Sequence, residues 1–430
     1  MKRLLLMLLL GAVGLLALVA GLALTAFDAQ PALQRSAELT PQHVERALRI
    51  LARHDPRKIR GGALRTVDIA AADADLAANY LASHYAGGSA RAEFAPRRLT
   101  LVASLPLSQA PFPLASLRRF ANVRAVFREA GAVPELDSLT LGRLPVPAWA
   151  AESLVERMLT GLNRDEQLRL AAAMLREVKF TDRGLQLRYE WRADLPDQLR
   201  RVVLTQDELA RIRAYHDRLA ALVADRSLPR TVALPRLLVP LVQLAAERTS
   251  QGGAATQDEN RALIAVLALY LTGQHPAAVA ADAAGWPRAV GRAVTLGGRN
   301  DLAQHFAVSA ALAAYAGSPL ADAIGLYKEL KDARGGSGFS FNDLAADRAG
   351  TVFGELAIRA DAAAALQRLV GAGIDERDIM PDVADLPEFM PAAEFERRFG
   401  GIDGAGYRAM MRDIERRVGA CGLYRRLGGT

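Results

Sequence analysis

One histidine and four acidic residues lie close together in sequence within residues 300–359. They are His305, Glu329, Asp332, Asp343 and Asp347. The first two acidic residues are three positions apart and the last two are four positions apart. Because residues at these spacings share one face of an α-helix, each acidic pair presents both carboxylates to the same side. If the helices of this segment pack together, the five side chains converge on a shared polar site.

Such a set suits two kinds of chemistry. All five side chains could bind a divalent metal ion, because oxygen ligands suit magnesium, calcium or manganese and an imidazole also admits zinc or iron. Alternatively, an imidazole oriented by one carboxylate could act as a general base, with a second carboxylate as the acid. The catalytic candidates in that interpretation are His305, Glu329, Asp332 and Asp347.

A purely structural interpretation also fits the same residues. Asp343 would complete a helix cap that begins at Ser340, and Lys328 with Asp332 would form an ordinary surface ion pair at i, i+4. His305 would then be a core histidine with an internal partner. The residue types alone leave the metal, acid–base and structural interpretations open.

Three helices are predicted to position these residues. The first spans residues 301–316, the second begins at Ser318 and ends before Gly335, and the third begins at Ser340. On the third helix, two glycines continue the stripe of acidic residues at spacings of three and four. Glycines in such a stripe let a neighbouring helix approach closely, so the stripe predicts a tight helix pair at the candidate site.

Common catalytic and binding motifs are missing from the sequence. It contains no HExxH, GxSxG, Walker A or GxGxxG pattern. The single cysteine, Cys421, allows neither an internal disulfide nor a cysteine-rich zinc site. The formal charge is +7, but no run of five or more basic residues occurs, so a nucleic-acid partner is not expected.

The N-terminal segment has the composition of a membrane anchor. The run from Leu4 to Phe27 contains no charged residue. It is longer than the about 20 residues that an α-helix needs to span a bilayer. A cleaved signal usually has a shorter apolar region, of about 7–15 residues. Residues 1–27 are therefore predicted to form a transmembrane signal anchor at the bacterial inner membrane, with residues 28–39 as a linker. The basic start predicts that the bulk of the chain is periplasmic.

The remaining chain is predicted to contain an α+β domain and a helical domain. Residues 40–200 combine helical spacing with strands of alternating apolar residues, which indicates a curved antiparallel sheet over residues 98–191. The apolar positions expected on one face of that sheet are Leu99, Leu101, Val123 and Leu187. Residues 201–430 are predicted to be all-helical. The fold class is thus α+β, preceded by a transmembrane helix.

Several short motifs within residues 300–356 carry a family resemblance. They are His305-Phe306, Gly325-x-x-Lys328-Glu329-x-x-Asp332 and Phe339-Ser340-x-x-Asp343-Leu344-x-x-Asp347-x-x-Gly350. Together they resemble a family of uncharacterised bacterial periplasmic lipoproteins and, more distantly, the VanZ-like family. Unlike VanZ-like proteins, this chain has no transmembrane helices at the motif. The resemblance implies a location in the cell envelope and brings no reaction with it.

A second resemblance concerns the N-terminal part of the chain. Its motifs are Asp75-Leu76-x-x-Asn79-x-Leu81 and Leu139-x-Leu141-Gly142-x-Leu144-Pro145-x-Pro147. They are similar to the membrane-anchored, lipid-binding-like domains of bacterial envelope proteins. This resemblance implies a sheet that holds apolar ligands.

The sequence therefore predicts a membrane-anchored, extracytoplasmic envelope protein that maintains the envelope or binds a lipid or protein partner. Its predicted contacts are the membrane, through residues 4–27, and a lipid or an envelope protein. The alternative is a hydrolase that acts on an envelope component through the histidine and acidic residues, by metal or acid–base chemistry. A divalent metal ion is the cofactor that this cluster would bind.

Overall fold

The computed structural model describes most of the chain after residue 24. The described residues are 25–36, 39–53, 62–107, 120–151, 153, 173–190, 205–252, 255–317, 324–325, 328, 332 and 336–428. Contacts divide the chain into two compact units. The first combines Met1–Glu38 with Ile50–Pro196, and the second combines Leu39–Arg49 with Asp197–Thr430. Most of helix α1 (Pro41–Arg53) thus belongs to the second unit. The sequence pattern predicts it instead as part of the α+β domain that begins at residue 40.

The predicted N-terminal transmembrane helix is corrected by the structure. Within the described part of the chain, no helix is long and apolar enough to cross a membrane. The longest of these helices, Gln206–Ala224, has 19 residues but includes acidic and basic side chains, whereas a span needs about 20 predominantly apolar residues. Of the predicted segment Leu4–Phe27, only the last three residues are among those described.

Among its described residues, the first unit is an α+β arrangement that contains the helix α2 (Ala71–Ala86). Its strands are β1 (Leu64–Ala70), β2 (Ser89–Ala95), β3 (Arg98–Pro106), β4 (Phe120–Arg128), β5 (Glu135–Leu141), β6 (Leu144–Pro145), β7 (Leu175–Thr181) and β8 (Gly184–Glu190). Helix α2 ends at Gly87, whose φ of 60° closes the helix in the left-handed region where glycine is favoured.

Two sheets take the place of the single predicted sheet. Strands β2 to β6 form a five-stranded antiparallel meander, while β1, β8 and β7 form a separate three-stranded sheet in that order. Leu99, Leu101 and Val123 share a face of the larger sheet, as their pairing across β3 and β4 requires. Leu187 pairs with Val67 and Val178 in the smaller sheet. The alternation of apolar residues identified the strands, but it carries no information on which strands pair.

The second unit is mainly helical. In the part of this unit that the structure describes, the α-helices after α1 are α3 (Gln206–Ala224), α4 (Pro235–Ser250), α5 (Thr256–Leu271), α6 (Asn300–Ala316), α7 (Phe341–Ile358), α8 (Ala363–Gly371), α9 (Glu376–Ile379), α10 (Ala392–Phe399), α11 (Ala405–Gly419) and α12 (Gly422–Leu427). The prediction of an all-helical domain is wrong in one detail. Two three-residue strands, β9 (Thr231–Ala233) and β10 (Ala293–Thr295), pair in parallel, and such short strands give too little alternation to be recognised.

Helices α6 and α7 form the centre of the second unit. Helix α7 is buried along nearly its whole length and packs most extensively against α6. The two backbones touch directly at the glycine stripe of α7. A Cβ atom at Gly350 would overlap the carbonyl oxygen of Phe306, and a Cβ atom at Gly354 would overlap that of Ala310. The predicted role of these glycines in a close helix approach is confirmed, and it determines how near the side chains of the two helices come.

Candidate functional site

The start of α7 places two acidic residues against α6. The hydroxyl oxygen of Ser340 accepts a hydrogen bond of 3.1 Å from the backbone N–H of Asp343 and so caps the helix, as the sequence predicts. Asp343 and Asp347 are one turn apart and therefore lie on the same face of α7. His305 lies on the facing side of α6, directly before Phe306, whose backbone contacts Gly350 of α7.

The two carboxylates flank the imidazole of His305. The Nδ1 atom lies 3.0 Å from Oδ1 of Asp347, and the Nε2 atom lies 3.4 Å from Oδ2 of Asp343. The three side chains are 8–10% exposed. The structure therefore brings together three of the five candidate residues in a largely dehydrated setting, where charge and hydrogen-bond interactions are stronger than in water.

Asp347 is also held by a residue that the sequence analysis did not single out. Ser309, one turn after His305 on α6, donates a hydrogen bond of 2.7 Å from its hydroxyl to Oδ1 of Asp347. The same carboxylate oxygen thus accepts from both the histidine and the serine. The spacing of four between His305 and Ser309 was the available signal, because it places them on one helical face.

Two carboxylate oxygens of the cluster have no hydrogen-bond partner among the described residues. They are Oδ1 of Asp343 and Oδ2 of Asp347, and both are inaccessible to solvent. Gly325 lies directly over Oδ2 of Asp347, since a Cβ atom there would be 2.6 Å from it. A buried polar atom without a partner is costly and calls for an explanation such as a bound water, an ion or a role in chemistry.

A guanidinium group adjoins the outer carboxylate. The Nη2 atom of Arg299 lies 3.8 Å from Oδ1 of Asp343, which is beyond hydrogen-bond distance. Arg299 is mainly engaged elsewhere, by Asp301 at 2.6 Å and Glu388 at 2.5 Å, and it also lies over the ring of Phe389. Arg299 therefore contributes positive charge near Asp343 without replacing His305 as its nearest partner.

The remaining two candidate residues are not observed at the cluster. Asp332 forms an ion pair of 2.9 Å with Lys328, as the structural interpretation of the sequence anticipated for this pair. Glu329 lies outside the described residues. Among the residues that are described, no group of three or more histidine, cysteine, aspartate and glutamate side chains is arranged to hold a metal ion. The metal site therefore stays a prediction, and its completion would depend on Glu329.

The pKa values of His305 and Asp343 are both raised in the folded chain. Burial lowers the pKa of His305, but the hydrogen bond and charge of Asp347 and the charge of Asp343 outweigh it, so its pKa lies above the ordinary value. Burial raises the pKa of Asp343, and the opposing charges of His305 and Lys328 only partly offset this rise. Both groups therefore hold protons in the folded chain more tightly than in the unfolded chain.

This shift predicts a pH-dependent contribution of His305 to stability. Because its folded pKa is raised, the contribution is complete below the unfolded value of about 6.5 and is lost as pH rises through the folded pKa. Replacement of His305 by Gln should therefore lower the free energy of unfolding more at pH 6 than at pH 9. Urea unfolding followed by circular dichroism measures this difference. In an Asp347→Asn background, the loss of unfolding free energy caused by His305→Gln should depend less on pH. An unchanged pH dependence would contradict the role of Asp347 as the main cause of the raised pKa.

A cavity of about 210 Å³ adjoins the cluster. Its described lining residues are Thr272, Gln304, His305, Val308, Ser309, Leu312, Ile324, Gly325, Lys328 and Asp347. The histidine and the inner carboxylate thus belong both to the hydrogen-bonded cluster and to the cavity wall. Concave sites that combine a mostly apolar wall with a few polar groups and shifted pKa values are typical of ligand-binding and active sites.

Comparison of the chain with protein-family models, with curated proteins and with solved structures finds no match in any of the three.

Proposed function

We propose that the chain is a hydrolase that works by acid–base chemistry at His305. The observation that carries this proposal is the position of the imidazole between two buried carboxylates, Asp347 at 3.0 Å and Asp343 at 3.4 Å, at the wall of a cavity. A carboxylate at Nδ1 fixes the orientation and tautomer of a histidine and stabilises its protonated form. The other nitrogen, Nε2, is then the atom that exchanges a proton with a reactant.

The roles of the three residues follow from this geometry. Asp347, held in place by Ser309, orients the ring and compensates the positive charge that develops on it. His305 takes a proton from a water molecule at Nε2 and returns it to the leaving group. Asp343, whose Oδ2 lies 3.4 Å from Nε2, accepts a hydrogen bond from the same water and positions it for attack. Ser309 is a positioning residue, because its hydroxyl already donates to Asp347.

The acid–base version is preferred over the metal-dependent version for a geometric reason. Both ring nitrogens of His305 already face a carboxylate, each at a distance near that of a hydrogen bond. Ligands of one metal ion instead surround a common point, with a ring nitrogen directed at the ion. The cell-envelope location and the binding of a lipid or protein partner remain predictions of the sequence.

Hydrolysis by the purified full chain tests the proposal. The probes are p-nitrophenyl acetate and bis(p-nitrophenyl) phosphate, with nitrophenol release followed across pH 5–9. We expect release above the buffer rate with at least one probe, and an Asp343→Asn variant slower by about 10–100-fold, because a neutral amide oxygen accepts the hydrogen bond from the water less strongly than a carboxylate does. Asp361→Asn, an exposed change on the same unit, should leave the rate unaltered.

Three outcomes would count against acid–base hydrolysis. An absence of release with both probes, or an Asp343→Asn variant as fast as the original, would remove the support for the proposed roles. Loss of activity on treatment with a chelator, with recovery on addition of Zn²⁺ or Mn²⁺, would instead establish the metal-dependent version.

A further inference from the structure

We infer that the cavity beside His305 binds the hydrocarbon chain of the substrate, so that the compound hydrolysed is an ester of an aliphatic acyl group. This inference rests on the proposed hydrolase function and adds the class of substrate to it. It is carried by three properties of the cavity: the chemistry of its wall, its size and its position relative to the imidazole.

Away from His305 and Asp347, three polar side chains of the wall are already engaged within the protein. The amide of Gln304 donates to the carbonyl oxygen of Leu271 at 3.0 Å, and the hydroxyl of Thr272 donates to that of Ala268 at 2.8 Å. Ser309 donates to Asp347. A polar ligand would find these groups occupied and would lose its own hydrogen bonds to water, which is unfavourable. This part of the wall therefore suits a ligand group that needs no hydrogen bonds.

The apolar part of the wall is formed by Val308, Leu312 and Ile324. Val308 and Leu312 are one turn apart on α6 and continue the face that carries His305 and Ser309. Each of the two is partly exposed, although both belong to a helix whose other apolar side chains are mostly buried. A hydrocarbon chain laid between α6 and Ile324 would bury these side chains and gain from the removal of apolar surface from water.

The size of the cavity limits the length of the chain. Its volume of about 210 Å³ exceeds that of the about 150 Å³ apolar cavity known to hold benzene. It therefore accommodates a short or medium aliphatic chain but not a complete long-chain lipid. Each methylene that enters should raise binding about fourfold, which corresponds to about 0.8 kcal/mol. The gain should stop once the cavity is full.

The position of the cavity places the reacting bond at the histidine. Along α6, His305 precedes the wall residues Val308 and Leu312, so a chain laid along these two side chains brings its carboxyl carbon next to the imidazole. In the proposed step, the water oxygen bonds to this carbon while Nε2 of His305 takes a water proton. The carbon–oxygen bond to the alcohol then breaks, and His305 transfers the proton to the departing oxygen. The products are the carboxylic acid and the alcohol, with no other reactant required.

The test compares p-nitrophenyl esters with acyl chains of two, four, six, eight and twelve carbons. We expect kcat/KM to increase up to about fourfold per methylene and then to level off. Val308→Phe should fill the cavity and lower the ratio of the eight-carbon to the two-carbon rate by about tenfold or more. Val290→Phe, the same change at a position that is 51% exposed, should keep the original ratio.

A second variant tests the inference independently, in case Val308→Phe does not fold. Leu312→Ala enlarges the cavity and should move the levelling-off point to a longer chain. A kcat/KM that does not depend on chain length, in the original chain and in both variants, would overturn the inference even if hydrolysis itself is observed.

Binding without turnover separates this inference from the proposed function. Octanoate should raise the unfolding temperature of the His305→Gln variant, and Val308→Phe should abolish this shift. If no ester is hydrolysed but the octanoate shift depends on Val308, the hydrolase proposal fails and the chain-binding cavity stands. If octanoate does not raise the unfolding temperature of the His305→Gln variant, the cavity does not bind the hydrocarbon chain.

Discussion

Replacement of Asp347 by Asn is expected to lower kcat of the proposed hydrolysis by about 10³-fold. The amide keeps the shape of the side chain but removes the negative charge that stabilises the imidazolium of His305. It can also donate a hydrogen bond to Nδ1, which would leave the proton on Nε2 and prevent that atom from acting as a base. The equivalent change next to the histidine of a serine-protease triad costs about 10⁴ in kcat.

Several measurements identify the origin of this loss. The pKa of His305, measured by NMR titration, should fall in Asp347→Asn, because the hydrogen bond and charge that raise it are gone while burial, which lowers it, remains. Ser309→Ala removes only the group that holds Asp347 and should slow the reaction much less. Circular dichroism shows whether the variants are folded. An Asp347→Asn variant that retains kcat within tenfold would exclude the assigned role.

Replacement of Gly350 by Ala is expected to destabilise the second unit by about 2–3 kcal/mol. The added methyl group would overlap the carbonyl oxygen of Phe306, which is a backbone atom and cannot rotate away. Helices α6 and α7 would have to separate, and the buried surface between them would lose contact. Overpacking of this kind costs about 1–3 kcal/mol, and more when no side chain can relax. The gain in helix propensity from glycine to alanine, about 1 kcal/mol, offsets only part of this cost.

Gly371 provides a matched control for this change. It is the last residue of α8, and a Cβ atom there would meet only the flexible Gln243 side chain, at 3.7 Å. Gly371→Ala should therefore leave stability unchanged or raise it by up to about 1 kcal/mol. Urea unfolding followed at 222 nm measures both variants. Equal effects at the two positions would show that close backbone contact is not what requires glycine at Gly350.

The sequence predicted correctly those features that depend on the residue pattern of a single helix. Helical spacing placed Asp343 and Asp347 on one face, and the cap at Ser340 fixed where α7 begins. The glycine stripe of the same helix predicted its close neighbour, because only glycine permits backbone contact at that distance. These features follow from spacing along one helix.

Features that depend on which distant elements meet could not be predicted in this way. The pairing of β1 with β8 joins residues more than one hundred positions apart, and no local pattern encodes that choice. The ion pair of Lys328 with Asp332 illustrates a second limit. Helical spacing gives the same prediction for a surface pair and for a pair of site residues, so only the packed structure distinguishes them.

The contact between α6 and α7 has an evolutionary consequence. The backbone approach at Gly350 that holds the core together also sets the 3.0 Å distance between His305 and Asp347. A mutation that separates the helices would reduce both the stability of the second unit and the proposed activity. Neither property can therefore change at this contact without a change in the other. Adaptation to new ligands is expected to proceed instead through Val308, Leu312 and Ile324, which form the cavity wall away from this backbone contact.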